Sequence, residues 1–412
     1  MSSPPIKPTS HHRGLAALLA TLTAVGPFSV DAYLPSMPEI GHALQAPPLA
    51  VQQTLTAYMV PFALMTLWHG AISDALGRRR VILWGTALFA LASAACACAQ
   101  NIQALLVFRA LQGMTAGAGM VVGRAIVRDL FHGAEAQRVM SQVALTFALA
   151  PAVAPVIGGW LQAWFGWRAV FIFLVTFAGL SWTLCRFMLP ETLRPEHRQP
   201  MHPVYLARSY WGVLTSGPFV ALCCALTLNF SGFFIYVASA PVYLMQHLQV
   251  PATGFLWLFG PATAGIAMGS WVSGKVAGRL TPLRTLAWAY AIMGVAMVAN
   301  LLITLLLPPM LPWSVAPIFV YVFGLSLAAP TLTLLALDLF PKQRGLAASC
   351  QSFSQTTGAA LNAILAPFVW ATTRSLAYTQ VVALTLGLCA ILIYVWMVRG
   401  APQPAVSSTA AA

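Results

Sequence analysis

The sequence is poor in charged residues. Only 7% of its 412 residues are Asp, Glu, Lys or Arg, whereas 59% are hydrophobic. A soluble globular chain is about 25% charged. A water-soluble fold could not bury this much apolar surface. The composition therefore excludes a soluble protein and predicts an integral membrane protein surrounded mainly by the lipid bilayer.

Acidic residues are the scarcest: eight Asp and Glu stand against 21 Lys and Arg, which gives a net charge of +13. The basic residues lie in short loops between apolar segments, where the positive-inside rule places them. The charge therefore reports membrane topology, and no nucleic-acid partner is expected.

Signatures of enzymes and of bound metals are missing as well. The sequence has no P-loop, no dinucleotide-binding glycine run, and no HExxH or GxSxG motif. Its seven cysteines follow no zinc or disulfide spacing, and its eight histidines show no metal spacing. We expect no catalytic residue, no metal and no cofactor. Active transport by this chain would draw its energy from an ion gradient.

Long apolar runs are abundant. A helix needs about 20 apolar residues to span a bilayer, and no alternating pattern of a membrane barrel is present. We predict an all-α integral membrane protein with twelve transmembrane helices, the first of them retained rather than cleaved. The predicted spans are Gly14–Met37, Ala50–Ser73, Val81–Ala99, Ile102–Gly123, Val139–Gln162, Ala169–Leu189, Phe219–Leu244, Gly254–Lys275, Thr285–Leu307, Ser314–Leu337, Leu346–Trp370 and Leu376–Val398.

The distribution of basic residues predicts the orientation. Of the 21 Lys and Arg, 18 fall on the side of the N-terminus. Arg168 and Arg374 fall in loops on the other side, and Arg109 lies inside a helix. This asymmetry predicts that both termini are cytoplasmic.

The chain divides into two halves. The longest internal loop separates six predicted helices from six others. Aligning Gly77-Arg78 with Gly278-Arg279 reveals a weak repeat with an offset of 201 residues. Parallel six-helix repeats are a transporter architecture. We predict a cytoplasmic tail (1–13), a first six-helix bundle (14–189), a cytoplasmic linker (190–218), a second six-helix bundle (219–398) and a disordered cytoplasmic tail (399–412).

Two charged residues lie inside predicted helices, Asp31 in the first and Arg109 in the fourth. A charge at the centre of a membrane helix costs about 2.5–3.5 kcal/mol on insertion scales, so such a residue indicates function. We expect Asp31 and Arg109 to pair or to face one polar cavity. Two alternatives stay open: Asp31 among the outer headgroups, and Arg109 buried and satisfied by backbone carbonyls.

Other candidates come from motifs and from polar or aromatic residues in mid-helix. Residues near Asp74 and Arg78 suggest an ion-pair latch, with simple loop structure as the alternative. Small residues and prolines of the fifth helix permit close packing and a bend. The latch candidates are Gly70, Asp74, Gly77 and Arg78, and the fifth-helix candidates are Pro151, Pro155, Gly158 and Gly159. The candidate substrate-binding residues are Asp31, Tyr58, Phe62, Gln112, Phe147, Asn229, Phe230, Phe233, Tyr236, Gln355 and Asn362.

Several of these stretches together resemble the major facilitator superfamily. The resemblance is to its drug:proton antiporter branch, and within it to the Bcr/CflA group of bacterial multidrug efflux transporters. The matching motifs are Gly70-x-x-Ser73-Asp74-x-x-Gly77-Arg78-Arg79-Arg80, Arg109-Ala110-Leu111-Gln112-Gly113, Ala154-Pro155-Val156-Ile157-Gly158-Gly159, Val30-Asp31-Ala32-Tyr33-Leu34-Pro35-x-x-Pro38, Arg124-Ala125-Ile126-Val127-Arg128-Asp129-Leu130 and Leu189-Pro190-Glu191-Thr192-Leu193.

The resemblance implies a role for each matching residue. Asp31 would be the protonated, substrate-linked acid, and Arg109 would take part in proton coupling. Asp74, Arg78 and Asp129 would form a cytoplasmic latch of the outward-facing state, and Gly158 and Gly159 would shape the fifth helix. Two departures are evident: Thr21-Leu22-Thr23 lacks the second acid of some antiporters, and Lys275 replaces Asp74 in the second half.

The expected function is proton-coupled multidrug efflux across the bacterial inner membrane. A monomer would export drugs of the bicyclomycin or chloramphenicol type by alternating access. One alternative within the same fold is the proton-coupled export of a metabolite such as a sugar, amino acid or short peptide. An alternative of another class, a membrane enzyme or receptor, finds no motif to support it.

Overall fold

The computed structural model describes residues 10–131, 133–193, 196, 203–341 and 343–400. Within these residues the chain is helical and contains no strand. Fourteen α-helices are present: α1 Ser10–Asp31, α2 Met37–Ala43, α3 Pro48–Leu76, α4 Arg78–Ala97, α5 Ile102–Leu130, α6 Gly133–Phe165, α7 Arg168–Met188, α8 Pro203–Leu214, α9 Gly217–Ala238, α10 Leu256–Val276, α11 Pro282–Leu306, α12 Ala316–Asp338, α13 Arg344–Val369 and α14 Thr373–Gly400.

Helix length and hydropathy identify ten candidate membrane spans among the described residues. Twelve helices have 20 or more residues, and α6 and α13 are the two that do not qualify. In α6 the apolar stretch is the shorter Leu149–Phe165. In α13 the polarity comes from seven Ser, Thr and Gln residues between positions 349 and 357. The all-helical prediction is confirmed, while the number of spans stays a prediction.

The outer surface of the helices is apolar. Phe165, Leu306, Phe368 and Trp396 are each more than 70% exposed. Large apolar side chains exposed in this number would aggregate a protein in water. They suit a multi-pass membrane protein whose helices face hydrocarbon.

Two predicted helices end earlier than expected, and both end close to prolines. The first was expected to reach Met37, but α1 ends at Asp31 and a 3₁₀ turn follows at Leu34–Ser36. The seventh was expected to reach Leu244, but α9 ends at Ala238 and a π-helical segment follows at Pro241–His247. Proline lacks the N–H that continues a helix. Asp31 therefore ends its helix instead of lying within it.

The predicted linker contains a helix that the sequence did not reveal. Twelve residues form α8, which is too short to span a bilayer. The hydroxyl of Tyr210 donates a hydrogen bond to the carbonyl of Leu67 at 2.9 Å, which fixes α8 against α3. Other linker residues, including 197–202, and the tail residues 1–9 and 401–412 lie outside the described part of the chain.

The same helix pairs recur in both parts of the chain. In the first part α1 packs on α5, α6 and α7, α3 packs on α5, and α4 packs on α5 and α7. In the second part α9 packs on α12, α13 and α14, α10 packs on α12, and α11 packs on α12 and α14. The two sets correspond helix by helix in chain order. We refer to α1–α7 as the first half and to α9–α14 as the second half.

The halves meet along two helix pairs, α3 with α13 and α6 with α10. At one end of the molecule, the closed end, Gln52 Nε2 donates to the carbonyl oxygens of Ala363 at 3.2 Å and Ala238 at 3.4 Å. Gly159 of α6 lies there against the backbone of Ala252, so closely that a Cβ would overlap it. The opposite end, the arginine-rich end, holds Arg78 and its neighbours.

Candidate functional site

A cavity of about 480 Å³ lies between the two halves. Helices α1, α3, α5 and α6 wall it on one side, and α9, α10, α12 and α13 wall it on the other. The walls are largely apolar, with five phenylalanines: Phe62, Phe230, Phe233, Phe234 and Phe259. Such a surface binds apolar molecules, while a few polar groups select among them.

Asp31 lies on the wall of this cavity, at the last turn of α1. The residue is 5% exposed, and its carboxylate has no hydrogen bond or ion pair with any described residue. It is therefore buried between the two halves. A buried acid without a partner is available to a ligand or a proton.

The backbone next to Asp31 is held by α6. A Cβ on Gly158 would overlap the carbonyl oxygen and carbon of Ala32, so only glycine permits this approach. Pro155 is buried nearby in α6, and Pro151 lines the cavity. Together with Gly159 at the closed end, the four fifth-helix candidates thus lie along the contacts of α6 with α1 and with the second half.

Arg109 is fully buried in the first half and does not line the cavity. Its guanidinium carbon lies 4.4 Å from the ring centroid of Tyr33 and 4.4 Å from that of Tyr58. Nη1 donates to Gln112 Oε1 at 2.5 Å and to the carbonyl oxygen of Ser29 at 3.2 Å. The alternative of a buried arginine satisfied in part by backbone therefore describes its surroundings better than a cavity-facing arginine does.

Asp31 and Arg109 do not form an ion pair within the described residues. They are connected indirectly, because Arg109 bonds to Ser29, two residues before Asp31, and stacks on Tyr58, which lines the cavity beside Asp31. The glycines of α5 face α3 and not the cavity. Gly113 and Gly117 pack on α3, near Tyr58 and His69, while Met120 of the same helix lines the cavity.

The predicted latch residues assemble at the arginine-rich end. Arg78 Nη1 lies 2.5 Å from Asp74 Oδ1, and Arg78 Nε lies 3.2 Å from Asp129 Oδ2. Gly77, at φ 99°, turns the chain between α3 and α4, while Gly70 packs near Val121. All of these contacts are within the first half.

The Leu189-Pro190-Glu191-Thr192 stretch joins the same cluster. Glu191 Oε1 accepts a hydrogen bond from the backbone N–H of Arg78 at 2.9 Å. Thr192 Oγ1 donates to Asp129 Oδ2 at 3.0 Å. The segment that follows α7 is thereby fixed to the start of α4 and to the end of α5.

The cavity receives some of the predicted substrate-binding side chains. Those that line it are Tyr58, Phe62, Phe230, Phe233 and Gln355. The side chain of Phe147 lies outside the described residues.

Four predicted residues do not line the cavity, and each forms a hydrogen bond with another buried or partly buried side chain. Gln112 bonds to Arg109 and Ser93, and Asn229 Nδ2 donates to Tyr290 Oη at 2.8 Å. Asn362 Nδ2 donates to Ser231 Oγ at 2.8 Å, and Tyr236 Oη accepts from Asn300 at 2.7 Å. These four residues are therefore absent from the cavity wall, and a role for them in substrate binding stays a prediction.

One cavity residue was missed. Arg124 lines the cavity and is exposed to it. The sequence placed Arg124 in a loop, because the helix was expected to end at Gly123, whereas α5 continues to Leu130. The signal was available: Arg124 and Arg128 are one turn apart, as they would be on one face of a continuing helix.

Among the described residues, no group of three or more His, Cys, Asp and Glu could hold a metal ion. The cavity has largely apolar walls, and the charged side chains on them are Asp31 and Arg124.

A family model, the Major Facilitator Superfamily, matches residues 19–363. The chain belongs to the major facilitator superfamily. Members are transporters, so this protein is a multi-pass membrane transporter and not an enzyme.

Individual relatives support this membership. An uncharacterized MFS-type transporter, YdgK of Bacillus subtilis, is 35% identical over 88% of this chain and 90% of its own. A bicyclomycin resistance protein homolog of Haemophilus influenzae is 32% identical over 58% of this chain and 61% of its own. The resemblance to the Bcr/CflA group is confirmed. The human organic anion transporter MFSD10 shares the major facilitator fold, with a TM-score of 0.67 at 19% identity, covering 95% of this chain and 100% of its own.

Proposed function

We propose that this major facilitator transporter exports drugs in exchange for protons, through alternating access. One observation carries the proposal: Asp31 is the acid on the wall of the cavity between the halves, and no described residue neutralises it. A carboxylate in this position can hold either a proton or the cationic group of a drug, but not both. Competition for one group is sufficient to couple the two movements.

The geometry supports the rest of the cycle. Gln52 and Gly159 hold the halves together at the closed end, so the drug would enter from the arginine-rich end. We assign that end to the cytoplasm, with both termini there, twelve spans, and bundles at 14–189 and 219–398. The latch at Arg78 would tighten when the halves close at that end. The transporter would act as a monomer in the bacterial inner membrane.

Arg109 would set the electrostatics of the proton site from inside the first half. Its fixed positive charge lies beside Ser29 and Tyr58, close to the turn that carries Asp31. A charge held by two rings and a hydrogen bond does not move with the ligand. Protonation of Asp31 would therefore change the balance of charge in the site without exposing Arg109.

One proton is energetically sufficient. Moving one charge inward through 100 mV yields about 2.3 kcal/mol, and one pH unit adds about 1.36 kcal/mol. Together these support a gradient of roughly a few hundredfold for a neutral drug. No second cavity acid is needed.

The lining of the cavity favours drugs over sugars or short peptides. Five phenylalanines line a site with few polar atoms. Sugars require many directed hydrogen bonds, because each buried hydroxyl without a partner is costly. Drugs with large aromatic or aliphatic parts need fewer of them, so we favour drug export over metabolite export.

Everted membrane vesicles with an imposed pH gradient test this proposal. We expect Asp31→Asn to abolish proton-driven drug uptake into the vesicles while the protein stays in the membrane, because the amide cannot exchange a proton. Glu39→Gln is the matched control: Glu39 lies in α2, accepts a bond from Gln162 at 3.2 Å and does not line the cavity. Normal transport by Asp31→Asn would refute the coupling role.

A further inference from the structure

The cavity wall carries a positive charge as well as a negative one. Arg124 of α5 is exposed to the cavity, in contrast to the fully buried Arg109 on the same helix. Both charged cavity residues, Asp31 and Arg124, belong to the first half. The second half contributes only neutral side chains to this wall.

Arg124 has no hydrogen bond or ion pair with any described residue. Three acids at its end of the molecule bind other arginines. Asp74 and Asp129 bind Arg78, and Asp338 binds Arg344 at 2.7 Å. Its guanidinium is therefore available to a molecule in the cavity.

A guanidinium in this setting selects for a particular chemistry. Its planar set of five N–H donors matches a carboxylate, phosphate or sulfonate, and two parallel hydrogen bonds can form. Ser270 and Ser352 also line the cavity, and their hydroxyls are further hydrogen-bond donors on its wall. An arginine partly withdrawn from water gains more from such a partner than one on an open surface does.

The two charges lie at different depths. Gly123, next to Arg124, faces Thr23 of α1: a Cβ built on Gly123 would lie 3.9 Å from Thr23 Cγ2. Thr23 precedes Asp31 by eight residues, or about 12 Å at the helical rise. A drug-sized molecule with an apolar body against the phenylalanines can therefore place an anionic group at Arg124 without meeting Asp31.

We propose that Arg124 is an anion-binding subsite of this cavity. The transported molecules then include apolar compounds that carry a carboxylate or another oxyanion, alone or together with a cationic group for Asp31. The proposed subsite concerns binding only, and its role in transport rests on the proposed function.

Equilibrium binding to the purified full chain in lipid nanodiscs tests the subsite. Three probes share one apolar body and differ in one group: 2-naphthylacetate, 2-naphthylacetamide and 2-(2-naphthyl)ethylamine. They are titrated against the wild type, Arg124→Gln, Arg124→Lys and Arg279→Gln. Arg279 is the matched control, because it is an exposed arginine at the same end that does not line the cavity.

We expect the wild type to bind the carboxylate at least tenfold more tightly than the amide. The affinity of Arg124→Gln for the carboxylate should be at least tenfold lower than that of the wild type, and its affinity for the amide less than twofold lower. Arg124→Lys should retain part of the preference, and Arg279→Gln should match the wild type. Two results would overturn the proposal. The wild type could bind the carboxylate and the amide equally tightly, or Arg124→Gln could lose affinity for both probes to the same extent.

A second measurement separates this inference from the proposed function. Proton-driven efflux of the cationic dye ethidium, which needs no anion site, is measured in vesicles with the wild type and Arg124→Gln. If ethidium is exported but the carboxylate is not bound more tightly than the amide, the subsite alone is refuted. Carboxylate preference without any proton-driven efflux refutes the proposed function and leaves the subsite in place.

Discussion

At the scale of single residues, the first half buries the charge of Arg109 and places Asp31 and Arg124 on the wall of the cavity. Arg109 is enclosed by the rings of Tyr33 and Tyr58 and bonds to the carbonyl of Ser29. A desolvated cation–π contact is worth about 2 kcal/mol or more. Its buried guanidinium thus contributes a fixed charge and also ties α5 to α1 and α3.

We expect Arg109→Ala to abolish efflux and Arg109→Lys to retain part of it, since lysine keeps the charge but loses the planar stack and the fork of donors. Efflux rate per unit of membrane-inserted protein is the measurement. Arg168→Ala is the control, because it removes another arginine of the first half that stacks on a ring, that of Trp167, and does not line the cavity. Wild-type efflux by Arg109→Ala would contradict this role.

The sequence could single out these residues but not their surroundings. Asp31 and Arg109 were identified because charged residues are scarce inside the predicted helices, where each charge is costly. The direction of a side chain depends on helix packing, which one sequence does not encode locally. Gln112, Asn229 and Asn362 are polar in mid-helix like Gln355, yet only Gln355 reaches the cavity.

At the scale of helices, prolines and glycines decide where Asp31 lies. Pro35 and Pro38 follow the end of α1, and Gly158 lets α6 approach the next peptide, at Ala32. The apolar runs predicted the long helices to within a few residues at most ends. They missed α8, because a 12-residue helix is shorter than the span length that the prediction used.

Replacement of Gly158 tests this contact. In Gly158→Ala the new methyl group would overlap the Ala32 carbonyl, and overpacking costs about 1–3 kcal/mol. We expect a lower melting temperature in detergent and a reduced efflux rate. Gly179→Ala in α7 is the control, since a Cβ there meets nothing within 4 Å. Equal melting temperatures for the two variants would argue against the contact.

At the scale of the whole molecule, Gln52 connects the halves. Its side-chain nitrogen bonds to carbonyls of α9 and α13, so the closed end is held in part by one amide. Each hydrogen bond is worth about 0.5–1.5 kcal/mol net. Loss of both should shift the population of transporters toward opening at that end.

We expect Gln52→Ala to speed labelling of a cavity cysteine, introduced as Thr263→Cys, by an impermeant maleimide applied to the closed end. A shift of about 1.4 kcal/mol corresponds to a tenfold change in the open population. The parent without Thr263→Cys corrects for native thiols. Gln53→Ala, an exposed neighbour, is the control. Unchanged labelling in Gln52→Ala would show that other contacts keep the end closed.

The two walls of the cavity also differ in what they contribute. Both charged side chains stand on the first half, whereas the second half supplies phenylalanines, hydroxyls and one amide. Under the proposed function, the charged groups for the proton step and for charged parts of the substrate are thus encoded in the first half of the gene, and most apolar contacts with the substrate in the second. Substitutions in the second half can broaden the range of exported compounds while the proton step is kept, which is how resistance to a new drug could evolve without loss of the pump.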